Sequence, residues 1–79
     1  MRLLKVPVVI EEEPDGEGFA AYSPSVPGCF SNGPTLEAAR QNFKSGLELH
    51  VASLVQHGEA LPASGRLVGI EELSVSVPE

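Results

Sequence analysis

The chain of 79 residues is long enough for one small domain with one hydrophobic core, and 42% of its residues are hydrophobic. Eleven acidic against five basic residues give a formal net charge of -6, which argues against nucleic acid as a direct partner because phosphate contacts need clustered Lys and Arg. A single cysteine excludes an internal disulfide, and no apolar run approaches the roughly 20 residues that span a bilayer. We therefore expect a cytoplasmic protein.

The first predicted element is a strand close to the N-terminus. Its apolar residues follow the period of a strand with one buried face, at Leu4, Val6, Val8 and Ile10. Pro7 cannot donate a hydrogen bond to a neighbouring strand. It must therefore lie near the start of this strand, at a sheet edge or at a bulge.

An acidic turn follows this strand and is the candidate partner-binding site. Five acids occupy seven positions with no basic residue among them: Glu11, Glu12, Glu13, Asp15 and Glu17. Asp15-Gly16 is a turn signal between two β segments, and the returning strand is predicted at Phe19 to Tyr22, with Phe19 and Ala21 on one face. The cluster predicts a basic protein partner, and a turn that serves only solubility is the alternative.

A segment rich in proline and glycine comes next and fixes the path of the backbone, because proline restricts φ and glycine frees it. Its structural motif comprises Pro24, Pro27, Gly28, Cys29, Gly33 and Thr35. Cys29 and Phe30 predict a short buried strand between two glycines. Thr35 is predicted to cap the helix that follows.

Apolar residues recur three and four apart from Leu36 to about His57, which predicts one helix of about 34 Å laid along the sheet. Gly58 is expected to end the helix in a left-handed conformation, and Pro62 prevents its resumption. The helix is longer than the strands that it covers. Three residues off its main apolar stripe are therefore expected to contact another subunit: Leu49, Ala52 and Val55.

After a loop at residues 63–65, the last predicted element is a half-buried strand, in which Leu73, Val75 and Val77 alternate with serines. Residues 66–70 either begin that strand or approach it. The predicted fold is α+β, with order βββαβ and one helix packed on one face of a mixed four-stranded sheet. Because the other face needs cover, we predict a homodimer or a larger homo-oligomer.

The sequence shows no catalytic constellation. A two-metal nuclease needs several carboxylates converging from different elements, whereas the predicted first strand has none before Glu11 and Glu48 on the helix would be alone. His50 and His57 are seven residues apart, while metal-binding pairs on helices favour a spacing of four, so structural roles are expected for both. Cys29 has no evident His and acid partners. We predict no enzymatic activity, no metal and no cofactor.

The segment from Tyr22 to Ala39 begins with an aromatic residue and a proline, continues through Pro27-Gly28-Cys29 and Gly33-Pro34-Thr35, and enters an alanine-containing helix. This arrangement resembles the HicB antitoxin family. The likeness extends to residues 6–11 and 58–62 and thus covers most of the chain.

The resemblance implies a reduced ribonuclease H-like sheet, with the last strand beside the first. It also implies an antitoxin that binds and neutralises a HicA-type toxin, which is a small, basic, mRNA-cleaving protein. Such antitoxins often carry a DNA-binding domain, but we expect a single HicB-like domain over residues 1–79 with no C-terminal DNA-binding domain. Two alternatives stay open, a stand-alone oligomeric scaffold of the same fold and a degenerate metal-dependent nuclease.

Overall fold

The structure is a computed structural model and describes residues 3–62 and 68–78. Its elements follow the order βββα, with β1 at Val9–Glu12, β2 at Phe19–Tyr22, β3 at Phe30–Gly33 and α1 at Leu36–Gln56. The strands form an antiparallel sheet in the order β1-β2-β3. The α+β class predicted from the sequence is confirmed.

The register of the sheet decides which side chains share a face. One row across the three strands consists of Ile10, Ala21 and Ser31, and the next row consists of Val9, Tyr22 and Phe30. Successive side chains point to opposite faces, so the two rows lie on opposite sides of the sheet. Ala21 is fully buried beneath the helix and Tyr22 is exposed, which confirms the faces predicted for the second strand.

The core lies between the sheet and the first half of α1. Its buried members are Ala21, Ala39 and Phe43. Partly buried apolar residues pack around them, namely Val8, Ile10, Phe19, Cys29 and Leu47. The helix therefore buries its apolar stripe over its first three turns.

Gly33 brings the start of α1 against the end of β3. A Cβ atom at this position would lie 2.7 Å from the Ala39 backbone nitrogen and 2.9 Å from the Ala38 Cβ, closer than real contacts allow. The absence of a side chain at Gly33 is thus what permits the close approach.

Both ends of α1 follow the sequence signals. The Ala38 backbone N–H donates to the Thr35 Oγ1 at 3.0 Å, which confirms the predicted N-cap. The helix ends at Gln56, and Gly58 adopts the predicted left-handed conformation with φ of 68°. At the same end, His57 Nδ1 lies 2.8 Å from the Ser53 carbonyl oxygen, an arrangement suited to a structural histidine.

The first strand begins later than predicted. Pairing with β2 covers Val9–Glu12, so two of the acids assigned to the turn belong to the strand. Pro7 has no N–H to donate, which explains why the ladder begins after it. The preceding apolar residues are nonetheless half-buried, including Leu4 and Val6.

The prediction that Cys29 and Phe30 form a buried pair is wrong for Phe30. Cys29 packs against the core, whereas 75% of Phe30 is exposed. Adjacent residues in extended backbone project to opposite faces, so only one of the two can point toward the helix.

The part of the chain that the structure describes contains no fourth strand at the predicted position, and its sheet is antiparallel rather than mixed. Residues 68–78 have no regular secondary structure, and the exposed fractions of Leu73, Val75 and Val77 are 80%, 79% and 76%. Alternation is a local signal, but a strand also needs a hydrogen-bonded neighbour, which this segment does not have in the single chain. The predicted loop at 63–65 and the approach at 66–67 lie outside the described residues. The likeness to a reduced ribonuclease H sheet stays a prediction.

Candidate partner-binding site

Backbone hydrogen bonds hold the acidic turn in a defined shape. The Glu13 N–H donates to the Gly18 carbonyl at 2.8 Å, and the Gly16 N–H donates to the Glu13 carbonyl at 2.8 Å. Asp15 Oδ1 accepts from the Glu17 N–H at 2.9 Å, an Asx-type contact that orders the tip. Gly16 has φ of 75°, a conformation that glycine adopts readily, so the turn predicted at Asp15-Gly16 is confirmed.

The structure divides the five predicted acids into separate positions. Glu11 and Glu12 lie in β1 and project to opposite faces of the sheet because they are neighbours in a strand. Glu13 and Glu17 line one shallow depression of about 320 Å³ beside Pro34. Within residues 3–62 and 68–78, none of the five carboxylates forms an ion pair, so their charge faces solvent at one end of the sheet.

An aromatic pair with a carboxylate lies on the sheet face that α1 leaves open. The Tyr22 hydroxyl donates to Glu11 Oε1 at 2.6 Å. This hydrogen bond raises the pKa of Tyr22 above its usual value, and slight desolvation and the negative charge of Glu11 add to the effect. Phe30 is paired directly with Tyr22 across the strands. Sequence reasoning placed Tyr22 on the open face but missed Phe30, which the register alone assigns there.

The loop between β2 and β3 is held by two residues outside the predicted motif. Ser23 and Val26 are only 4% and 3% exposed. The Ser23 Oγ accepts from the Ser25 N–H at 3.1 Å, and the Ser23 carbonyl accepts from the Val26 N–H at 3.3 Å. In the sequence Val26 is an isolated apolar residue between two prolines, and this pattern could have indicated a buried anchor of the loop. Pro24 and Pro27 are exposed, so the motif shapes the loop from outside while Val26 anchors it.

The described residues do not bring together a metal or nuclease site. No group of three His, Cys, Asp or Glu side chains in 3–62 and 68–78 could hold a metal ion. Glu48 and His50 are exposed on α1. In the same part of the chain, no helix is both long enough and apolar enough to cross a membrane.

Comparison with known proteins gives a consistent family match. Residues 6–76 match the family model described as HicB-like antitoxin of bacterial toxin-antitoxin systems. A UPF0150 protein of Synechocystis is 38% identical over 61 residues, which cover 77% of this chain and 76% of the relative. A UPF0150 protein of Thermoplasma acidophilum is 34% identical over 59 residues, which cover 75% of this chain and 84% of the relative. An uncharacterized 14.9 kDa protein of Haemophilus phage HP1 is 40% identical over 58 residues, 73% of this chain and 42% of the phage protein. No solved structure matches the chain significantly.

Proposed function

Because the chain belongs to the HicB-like antitoxin family, we propose that it is an antitoxin that binds and neutralises a small, basic, HicA-type toxin. The family match over residues 6–76 is the observation that carries this proposal. The net charge of -6 supports it, because an acidic inhibitor is complementary to a basic partner. A toxin that cleaves mRNA would place the pair in the cytoplasm.

The acidic turn is the part of the surface that we assign to the encounter with the toxin. Glu12, Asp15 and Glu17 are exposed, and Glu13 is half-buried beside them. Charges at the rim of an interface raise the association rate more than they slow dissociation. The turn should therefore steer the toxin toward the chain.

The open sheet face next to the turn offers the contact surface. Tyr22 and Phe30 are exposed there by 39% and 75%, and Glu11 lies beside Tyr22. Aromatic residues with a polar rim are typical of the energetic centre of protein interfaces. Glu11 connects the two regions, since it lies in the acidic segment and accepts a hydrogen bond from Tyr22 of the aromatic pair.

The steering role can be tested with a triple substitution, Glu12→Gln, Glu13→Gln and Asp15→Asn. The association rate with the cognate basic toxin should fall, and its dependence on salt should flatten, while dissociation changes less. Asn at position 15 keeps an oxygen that can accept the turn hydrogen bond, so the fold should survive. Stopped-flow binding at two salt concentrations measures the effect.

The matched control removes the same charge elsewhere, by Glu37→Gln, Glu48→Gln and Glu59→Gln. These residues are exposed and lie outside the acidic turn. If the control slows association at low salt as much as the turn variant does, only the net charge matters. That result would contradict the steering role that we assign to the acidic turn.

We also propose that the chain has no nuclease activity of its own. Metal-dependent cleavage requires several carboxylates or histidines around the metal ions. Among the described residues, no three such side chains lie close enough together to hold a metal ion. RNA incubated with the purified protein and Mg²⁺ or Mn²⁺ should stay intact. Cleavage by the wild type that is lost in Glu48→Gln would show that the protein is an enzyme.

A further inference from the structure

An open apolar groove runs between the N-terminal segment and α1. It consists of two adjoining depressions of about 330 and 420 Å³, both lined by Leu4, Val6 and Leu47. The groove also adjoins β1, because Ile10 lines it. Within residues 3–62 and 68–78, β1 pairs only with β2, so its other edge has backbone N–H and carbonyl groups available for a further strand.

The same chain carries a segment with the properties of that further strand. Residues 68–78, here called the tail, are exposed throughout. Their apolar side chains are Val68, Ile70, Leu73, Val75 and Val77, each between 66% and 86% exposed. From residue 73 they alternate with serines, so one face of an extended tail is apolar and the other face is polar.

We propose that the tail of a second copy of this chain occupies the groove, and that two copies exchange tails reciprocally in a two-fold symmetric dimer. Leu73, Val75 and Val77 would face the groove, the serines would face away, and the tail backbone would pair with the free edge of β1. Exchange of a terminal segment gives a closed assembly in which each copy fills the groove of the other.

The charged side chains along the groove favour one position for this occupant. Lys44 borders both depressions and Glu48 borders only the larger one, whereas Arg40 is already paired with Glu37 on the same helix. The tail carries Glu71 and Glu72 immediately before its alternating residues. Within residues 3–62 and 68–78 Lys44 forms no ion pair, so the acids of the tail would be attracted to it at the end of the groove away from Glu48.

A second copy accounts for the exposed surface better than the chain's own tail does. In the single chain the groove is open and the tail lies in solvent, with a longest molecular axis of 51 Å. The groove continues to Val51 and Ala52, along the half of α1 where Leu49 and Val55 are 74% and 64% exposed. A second copy covers the groove and this half of the helix together, whereas the chain's own tail would cover the groove alone.

The first test is the mass in solution. Light scattering of the wild type at micromolar concentration should give a dimer. Val75→Lys places a charge in the apolar face of the tail and should give a monomer that keeps the helical circular-dichroism signal, because Val75 is 79% exposed in the single chain. A monomeric wild type, or a Val75→Lys variant that stays dimeric, would overturn the proposal.

The second test distinguishes exchange from pairing within one chain. In a Cys29→Ser background, which removes the native thiol, Val6→Cys and Val75→Cys are combined on one chain and oxidised. Exchange should give a covalent dimer on a denaturing, non-reducing gel, with a peptide joining positions 6 and 75. A covalent monomer containing the same bond, or no bond, contradicts the exchange.

The matched control replaces Val75→Cys with Ser76→Cys, because alternation places position 76 on the opposite face of the tail. It should cross-link several-fold less. Equal cross-linking would indicate random collision and would also overturn the proposal. Neither test uses a toxin, so the outcome is independent of the proposed antitoxin function.

Discussion

The two halves of α1 have the same periodicity but different surroundings. In the first half the stripe residues Ala39 and Phe43 are buried against the sheet. In the second half the stripe residues Val51 and Leu54 are only half-buried, and Leu49 and Val55 beside the stripe are exposed. Strands of four residues span about 14 Å, and a helix of 21 residues spans about 31 Å. The sheet can therefore cover only about half of the helix, and helical spacing alone does not reveal which half.

This difference separates residues that fold the single chain from residues that are available to a partner. The core around Phe43 joins β1, β2 and Cys29, which immediately precedes β3, to the first half of the helix. The second half of α1 and the tail contribute exposed apolar area instead. Substitutions in the first region should change stability, and substitutions in the second should change assembly.

The largest expected effect is that of Phe43→Ala. Removal of this buried side chain leaves a cavity, and the free energy of unfolding should fall by about 3–5 kcal/mol. Leu49→Ala on the exposed half should change it by no more than about 0.5 kcal/mol in the monomeric Val75→Lys background. Urea denaturation of both variants measures the contrast. Similar losses for the two variants would abolish the distinction between the halves.

A smaller effect is expected at the helix entrance. Gly33→Ala forces a Cβ against the Ala38 and Ala39 backbone and should cost about 1–3 kcal/mol. Gly46→Ala is the control, since a Cβ there meets nothing within 4 Å, and in the helix interior it should stabilise by about 0.5–1 kcal/mol. Thermal unfolding should thus shift in opposite directions. A shift in the same direction for both would show that the Gly33 contact is not tight.

The N-cap should contribute about 1 kcal/mol. Thr35→Ala removes the acceptor for the Ala38 N–H and should lower the free energy of unfolding by about that amount. Thr35→Ser keeps a hydroxyl and should restore most of the loss. The cap would have no stabilising role if the alanine and serine variants unfolded at the same denaturant concentration.

The smallest effect concerns the open face of the sheet. Because its folded pKa is raised above 10.0, Tyr22 contributes stability that is complete below the unfolded pKa and is lost as the pH rises through the folded pKa. Glu11→Ala should return the pKa of Tyr22 toward its usual value, and Glu12→Ala, on the other face, should not. The chain has one tyrosine and no tryptophan, so tyrosinate absorbance reports this group directly. Equal titration curves for the two variants would contradict the Glu11 contact.

Local signals predicted local structure well. Thr35 and Gly58 mark the ends of α1, and Asp15-Gly16 marks the first turn, because each acts through its own backbone or through residues a few positions away. The length of the helix and the alternating faces of β2 followed from periodicity in the same way.

The errors arise where a partner element decides the outcome. The alternation at residues 73–77 resembles a strand, but pairing requires a neighbour that is distant in sequence. Phe30 is exposed because the register of β3 turns it away from the helix. The sequence predicts one acidic patch, whereas β1 extends to Glu12, so Glu11 and Glu12 project to opposite faces of the sheet. The partner-binding role of these acids and the expected absence of a DNA-binding domain stay predictions.

Neutralisation of the toxin is the most direct test of the proposed function. RNA cleavage by the cognate basic toxin should be measured while the wild-type protein is titrated into the reaction. We expect cleavage to fall to the background level near equimolar protein, and the triple variant of the acidic turn to reach the same level more slowly after mixing at low salt. Cleavage that continues unchanged at a large excess of the wild-type protein would contradict the antitoxin function.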